Sequence, residues 1–290
     1  MADSLPLGLT WAAFWLHVLG EHVAVRRTGR PRSPLARRRA LAFYAGLLAI
    51  VAAIATPIET LSKQLLWTHM IQHVLLLSVA APLIVLGAPW MSLWRPLPLG
   101  MRRTLARAVM RSPGGAPVRA AGRLLSRPLV ALLVYAVNLL VWHVPALYDL
   151  ALRNSDVHAL EHLTFIGFGI VLWAQVIPSP PFKPSLGYPG RIAYLVAAMV
   201  PNVALSMLLA FSRSPLYPFY VHVAHRPGGI SAFTDQQIAA GIMWSFGDLP
   251  FVIAIVVLAV RWLGQLDEDT AEPPAEAPTT APVRAGWRLT

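Results

Sequence analysis

Residues 74–90, VLLLSVAAPLIVLGAPW, carry no charged side chain, and apolar runs of this kind recur along the chain. No other feature restricts the fold as much. A bilayer core offers no water, so a backbone inside it must pair every N–H and C=O internally, which an α-helix does. About twenty residues at 1.5 Å each cross the hydrocarbon. Seven stretches qualify, over residues 6–25, 40–58, 64–92, 128–147, 157–177, 191–212 and 233–262. The expected fold class is therefore all-α, an integral membrane bundle of seven transmembrane helices in one domain, residues 1–263. Pro82, Pro201 and Pro250 fall inside spans three, six and seven. Each should kink its helix, which a bundle tolerates by re-satisfying the freed carbonyl.

Charge sets the orientation. Only 13% of residues are charged, about half the share of a soluble domain. The net charge of +11 would suit nucleic acid if it formed one patch, but the basic residues lie in short loops between apolar runs. That distribution points to anionic lipid at a cytoplasmic face and excludes nucleic acid as the partner. Eighteen Lys and Arg fall in the loops after spans one, three and five and at the end of span seven, against four on the other side. The excess places the N-terminus outside and the C-terminus in the cytoplasm. The first twenty residues lack a positive n-region and a small-residue cleavage motif, so span one is expected to be retained. Within the basic loop 93–127, residues 101–110 have the pattern of a short amphipathic helix on the inner surface. A solvated loop is the preferred expectation there. Residues 264–290, rich in Pro, Ala, Glu and Thr, are expected to form a disordered cytoplasmic tail.

The chain has no cysteine. Disulfides, thiolate metal sites and iron–sulfur clusters are excluded, and any soft-metal site must use His and Met. Nine histidines are present. His17 and His22 fall in the inner half of span one, where packing or a hydrogen bond between helices explains them. His222 and His225, in the last outer loop, are expected to be of the same kind. The other five form a layer. Span three enters from outside near residue 64, which sets His69 at ~7 Å and His73 at ~13 Å depth. His158 and His162 on span five lie ~2 and ~8 Å deep, and His143 ~6 Å from the outer end of span four. HMIQH and HALEH each put two imidazoles four residues apart, on one helical face. Two such pairs at matched depth, with a fifth histidine, point to a metal site. His143 is left open as ligand or supporting donor.

Gln72, Glu161, Asp235 and Gln236 share the layer and are candidates to orient imidazole N–H groups. Asp235, like Thr234, is also placed to cap the helix that begins there. Met70, Met207 and Met243 lie in outer halves, where a thioether serves either as a soft ligand or as packing. Asp248, near the middle of span seven, is costly there. It is either functional or held by an internal hydrogen bond or ion pair. Imidazole suits copper and zinc. An HExxH metalloprotease is excluded, because Met and Ala follow the first histidine of the two pairs. HALEH keeps the HxxEH order of inverted zincins, but nothing else of that fold is present. A haem site would use two layers, whereas this layer is single. Copper bound at the outer face fits best, with zinc as the alternative.

These motifs carry a resemblance. WTHMIQHVLLLSVAAPLIVLGAP, VWHVPALYDLALRNSDVHALEHLTFIGFGIVLWAQVI and DQQIAAGIMWSFGDLP, in this order and spacing, resemble the CtaG family of caa3-type cytochrome c oxidase assembly proteins. The segments cover most of residues 64–262; spans one and two resemble nothing further. The likeness implies a multi-pass protein of the bacterial plasma membrane and cytochrome c oxidase subunits as partners. It implies a non-catalytic factor that helps copper reach the oxidase's outward-facing copper centres. The family's motif histidines fall on His69, His73, His143, His158 and His162. Single-span copper chaperones of the same name use Cys and are a different type. Two rivals remain: an intramembrane zinc hydrolase of lipid-like amides or esters, with Glu161 or Asp248 as base, and a structural partner of the oxidase without metal.

Overall fold

The computed structural model describes residues 4–29 and 31–270. It is helical throughout, and no named strand occurs among the described residues. Two long helices, α1 (Ser4–Thr28) and α2 (Pro34–Ile54), lead into a short α3 (Pro57–Ser62). The third apolar run forms α4 (Leu66–Val74) and α5 (Ala81–Gly87), joined through a π-helical turn at Leu75–Ala80. A short α6 (Trp90–Trp94) follows, then α7 (Leu99–Met110), α8 (Ala116–Leu125) and α9 (Pro128–Trp142). The rest comprises α10 (Pro145–Arg153), α11 (Ser155–Ala174), α12 (Tyr188–Phe211), α13 (Pro218–Val221) and α14 (Ala232–Ile242). A second π-helical turn, Met243–Gly247, joins α14 to α15 (Asp248–Thr270).

Among the described residues, four helices are long and apolar enough to cross a membrane: Leu66–Gly87, Ser155–Ala174, Tyr188–Phe211 and Ala232–Asp267. There are five if Pro113–Leu125 and Pro128–Trp142, bent by 92°, count as one broken span. The two N-terminal helices stand where spans one and two are expected, but α2 carries Arg37, Arg38 and Arg39 in its first turns and the apolar run of α1 is interrupted by His17, Glu21 and His22. Burial is inverted relative to a soluble protein. Leu48, Phe211 and Val260 are exposed, whereas His69, Glu161, His162 and Asp235 are fully buried. Apolar side chains turned outward and polar ones inward suit a bundle solvated by lipid.

Small residues bring the helices close. A Cβ on Gly87 would lie 2.7 Å from the Cβ of Phe43, and one on Gly46 2.9 Å from Cγ1 of Ile84. α2 therefore packs backbone to backbone on α5, the close approach favoured between helices in lipid. Two of the three prolines sit just beyond a π-helical turn. A proline ring collides with the carbonyl four residues earlier. For Pro82 and Pro250 that carbonyl belongs to Ser78 and Phe246, each inside a π-helical turn. The widened turn absorbs the collision and the helix continues. Around Pro201, α12 runs on without such a turn.

Three expectations are corrected. Residues 99–110 and 116–125 form helices where a solvated loop was preferred. Arg119 joins them by donating to the carbonyls of Val109 at 2.6 Å and Ser112 at 3.1 Å, capping the last turn of α7. Span four ends at Trp142, because Pro145 restricts Val144 to an extended conformation. The tail expected to be disordered from residue 264 is helical to Thr270, and residues 271–290 lie outside the described residues.

Candidate metal centre

Three helices bring the histidines together. α4 carries His69 and His73 on its inner face, the end of α9 carries His143, and α11 carries His158 and His162. The rings form a continuous group. Centroids lie 4.5 Å apart for His69–His73, 5.3 Å for His69–His158, 5.7 Å for His73–His143, 6.4 Å for His73–His162 and 4.1 Å for His158–His162. All five are buried. One ring nitrogen from each of His69, His73 and His162 lies within 4.8 Å of the others, and so do ligand atoms of His69, His158 and Glu161. Glu161 sits at the hub, fully buried, with its oxygens 3.7 Å from His69 Nε2 and 3.4 Å from His73 Nε2.

Hydrogen bonds decide which nitrogen of two rings carries the proton. His143 Nδ1 lies 2.8 Å from the carbonyl of Leu139. A carbonyl only accepts, so Nδ1 donates and Nε2 keeps its lone pair. His69 Nδ1 lies 3.2 Å from the hydroxyl of Tyr220, which itself donates to the carbonyl of Ser62 at 2.5 Å. Burial holds the Tyr220 phenol well above its ordinary value, so it stays protonated. Its single proton is committed to Ser62, and it therefore accepts from His69 Nδ1. His69 Nε2 is then a bare lone pair aimed at the hub. His69 Nε2, His143 Nε2, both nitrogens of His73 and both oxygens of Glu161 have no hydrogen-bond partner among the described residues. Buried polar atoms are rarely left so, and a group of them facing one another fits a cation.

The supporting residues differ from expectation. Gln72 makes its hydrogen bonds away from the imidazoles. Its amide donates to the carbonyl of Ala53 at 2.9 Å and to Glu59 at 2.7 Å, and Glu59 in turn lies 3.8 Å from His158 Nδ1. Asp235 caps neither its own helix nor a histidine. Ser231 caps α14, while Asp235 accepts from the backbone N–H groups of Leu66 at 2.9 Å and Trp67 at 3.0 Å. It thereby caps α4 from a neighbouring helix and sets the position of His69 and His73. Gln236 is further removed. It accepts from the N–H of Leu216 and donates to Leu209 and Ser212, bracing the end of α12. Asp235→Ala should leave two N–H groups of α4 unpaired and cost about 2 kcal/mol. Thermal unfolding in detergent checks this. Asp235→Asn, which keeps an accepting oxygen, should retain most of the stability.

Met70, Met243 and Asp248 line a small cavity under His73 and His143. It holds about 20 Å³, room for one water. Asp248 accepts from Asn202 at 3.0 Å, and the Asn202 amide also donates to the carbonyl of Met243. The internal hydrogen bond weighed for Asp248 is thus present, in addition to its place below the histidines. His17 pairs with Tyr44 at 3.0 Å, away from the group.

Four participants escaped the sequence reading: Glu59, Tyr148, Tyr217 and Tyr220. Tyr148 stacks over Tyr217 at 4.1 Å and lies 5.0 Å from His69, and Tyr217 donates to the carbonyl of His143 at 3.2 Å. These residues come from short helices and loops with no apolar periodicity. The one available signal was an acid, Glu59, ten residues before a histidine pair.

The sequence profile of the cytochrome c oxidase caa3 assembly factor family (Caa3_CtaG) matches residues 15–265, which hold every residue of the centre. The chain belongs to the Caa3_CtaG family. The resemblance drawn from the three motifs is thereby confirmed, and the match also takes in most of α1 and all of α2. Uncharacterized protein Mb0105 of Mycobacterium bovis and uncharacterized protein MT0111 of Mycobacterium tuberculosis are each 25% identical over 234 residues, covering 78% of this chain and 34% of their own. Uncharacterized protein ML1998 of Mycobacterium leprae is 25% identical over 269 residues, covering 91% and 39%. The Caa3_CtaG chain thus spans less than two fifths of the length of these curated relatives. No solved structure matches it.

Proposed function

We propose that the chain is a seven-span membrane factor that binds copper at the histidine centre and passes it to haem–copper oxidase during assembly. One observation carries this reading: five buried imidazoles and a carboxylate from three helices converge, with Nε2 of His69 and of His143 held as inward lone pairs by their anchored Nδ1–H groups. Lone-pair nitrogens with anchored Nδ1–H groups are what a metal-ligating histidine needs. The triplets, spread over up to 4.8 Å, stand slightly wider than the ~3.4 Å between ligands of one tetrahedral ion. Small rotations would close them.

His69, His73, His158 and His162 are the proposed ligands, with His143 completing or supporting the set. Glu161 supplies the negative charge that offsets the ion's. Copper here is cargo, and exchangeable imidazoles suit a site that must release it. The expected orientation puts the centre near the outer face, towards the oxidase's own copper sites, with oxidase subunits as partners. The Arg-rich helices α7 and α8 would rest on anionic lipid at the cytoplasmic surface.

The test is complementation. In cells lacking the chain, the wild-type gene should restore assembled oxidase, and the His69→Ala/His73→Ala/His158→Ala/His162→Ala variant should not. Full rescue by a stably inserted variant would favour a structural partner without metal.

A further inference from the structure

The centre is closed. His69, Glu161 and His162 have no exposed surface, and His158 almost none. The segment 212–231, between α12 and α14, forms part of its cover. Tyr220 reaches His69 and the carbonyl of Ser62, and Tyr217 reaches the carbonyl of His143. Asp149 accepts from the N–H of Phe219, and Gln236 from that of Leu216. Arg226 donates to the carbonyls of Ile230 and Tyr220 and lies 3.6 Å from Asp235. Gly228 and Gly229, with φ of 77° and 64°, turn the chain back towards α14.

The two histidines left out of the centre sit on this cover. His222 and His225 are exposed and lie two and five residues beyond Tyr220. His222 ends α13, and its Nδ1 donates to the carbonyl of Pro218 at 2.7 Å. That leaves Nε2 as the lone pair, the same arrangement as in His143 and His69. The neighbouring positive charge, Arg226, is offset by Asp235. We propose that His222 and His225 are an external metal-docking pair, which takes the ion before it passes under the cover to the buried centre. Its natural ligand is a soft or borderline cation such as Cu(I). The proximity to Tyr220 gives the pair a lever on the cover, because moving α13 breaks the bond to His69.

The inference rests on the metal-binding role proposed for the centre, and two measurements separate them. The first follows the time course of Cu(I) uptake by the full chain in detergent. His222→Gln/His225→Gln should reach the same final copper content as wild type, with a loading rate at least ~10-fold lower. An unchanged rate overturns the docking pair. The second uses the chain with the four centre ligands changed to Ala. Weak Cu(I) binding should persist there and vanish when His222→Gln/His225→Gln is added. Absence of that residual binding also overturns the pair, whatever the wild-type centre holds. Both residues are exposed, so the variants should fold as wild type does.

Discussion

Tight, stoichiometric copper binding by the purified chain should be lost, leaving at most weak residual binding, when His69, His73, His158 and His162 are all replaced by alanine. The expectation follows from the number of donors. Structural zinc sites in zinc-finger peptides hold their ion with roughly 10–16 kcal/mol, or about 3 kcal/mol for each of four ligands, and the same scale is taken for four imidazoles. Loss of one imidazole should therefore weaken binding ~100-fold. His162→Ala alone and His73→Ala alone should each show this size of effect, read by competition with a chelator of known affinity. His17→Ala, which removes a buried histidine bonded to Tyr44, should leave affinity unchanged. Thermal unfolding guards against misfolding as the cause. Copper affinity that survives the fourfold change undiminished would remove the centre from any metal chemistry.

Glu161→Gln should separate stability from function. The carboxylate has no exposed surface, and the nearest imidazole nitrogens, Nε2 of His73 and of His69, stand 3.4 and 3.7 Å from its oxygens. Taking such a charge out of water costs several kcal/mol unless a partner offsets it, and in the metal-free chain the offset is incomplete. The neutral amide should raise metal-free stability by at least about 1 kcal/mol, or ~2–4 °C in Tm for a chain of this size. The same change should weaken copper binding ~10–100-fold, since the ion loses its counter-charge. Saturating copper stabilises whatever state binds it, so the metal-induced shift should be large in wild type and small in the variant. A variant less stable without metal, yet unchanged in copper affinity, would make Glu161 a structural residue.

Much of the centre was legible because helical periodicity is a local rule. HMIQH and HALEH fix two imidazoles each on one face, and span depth aligned them with His143 before any coordinates. The ring distances show the five imidazoles side by side. Glu161 was visible for the same reason, sitting between His158 and His162. Asp235 was read as a group orienting the imidazoles or as a local cap, whereas its partners, Leu66 and Trp67, stand well over a hundred residues away. Hydrogen bonds across such distances leave no periodic trace. The same holds for Tyr217, Tyr220 and Glu59, whose roles arise where loops fold over the helix ends. The π-helical turns at Pro82 and Pro250 were also hidden, since a proline in the sequence does not say how its helix accommodates it.

The most direct test is the metal content of the chain, gently extracted from membranes of cells grown with copper and measured by elemental analysis. About one copper per chain in wild type, lost in the fourfold histidine variant, is the predicted result. Zinc in its place, or no metal above background in correctly folded wild-type protein, would contradict a copper centre.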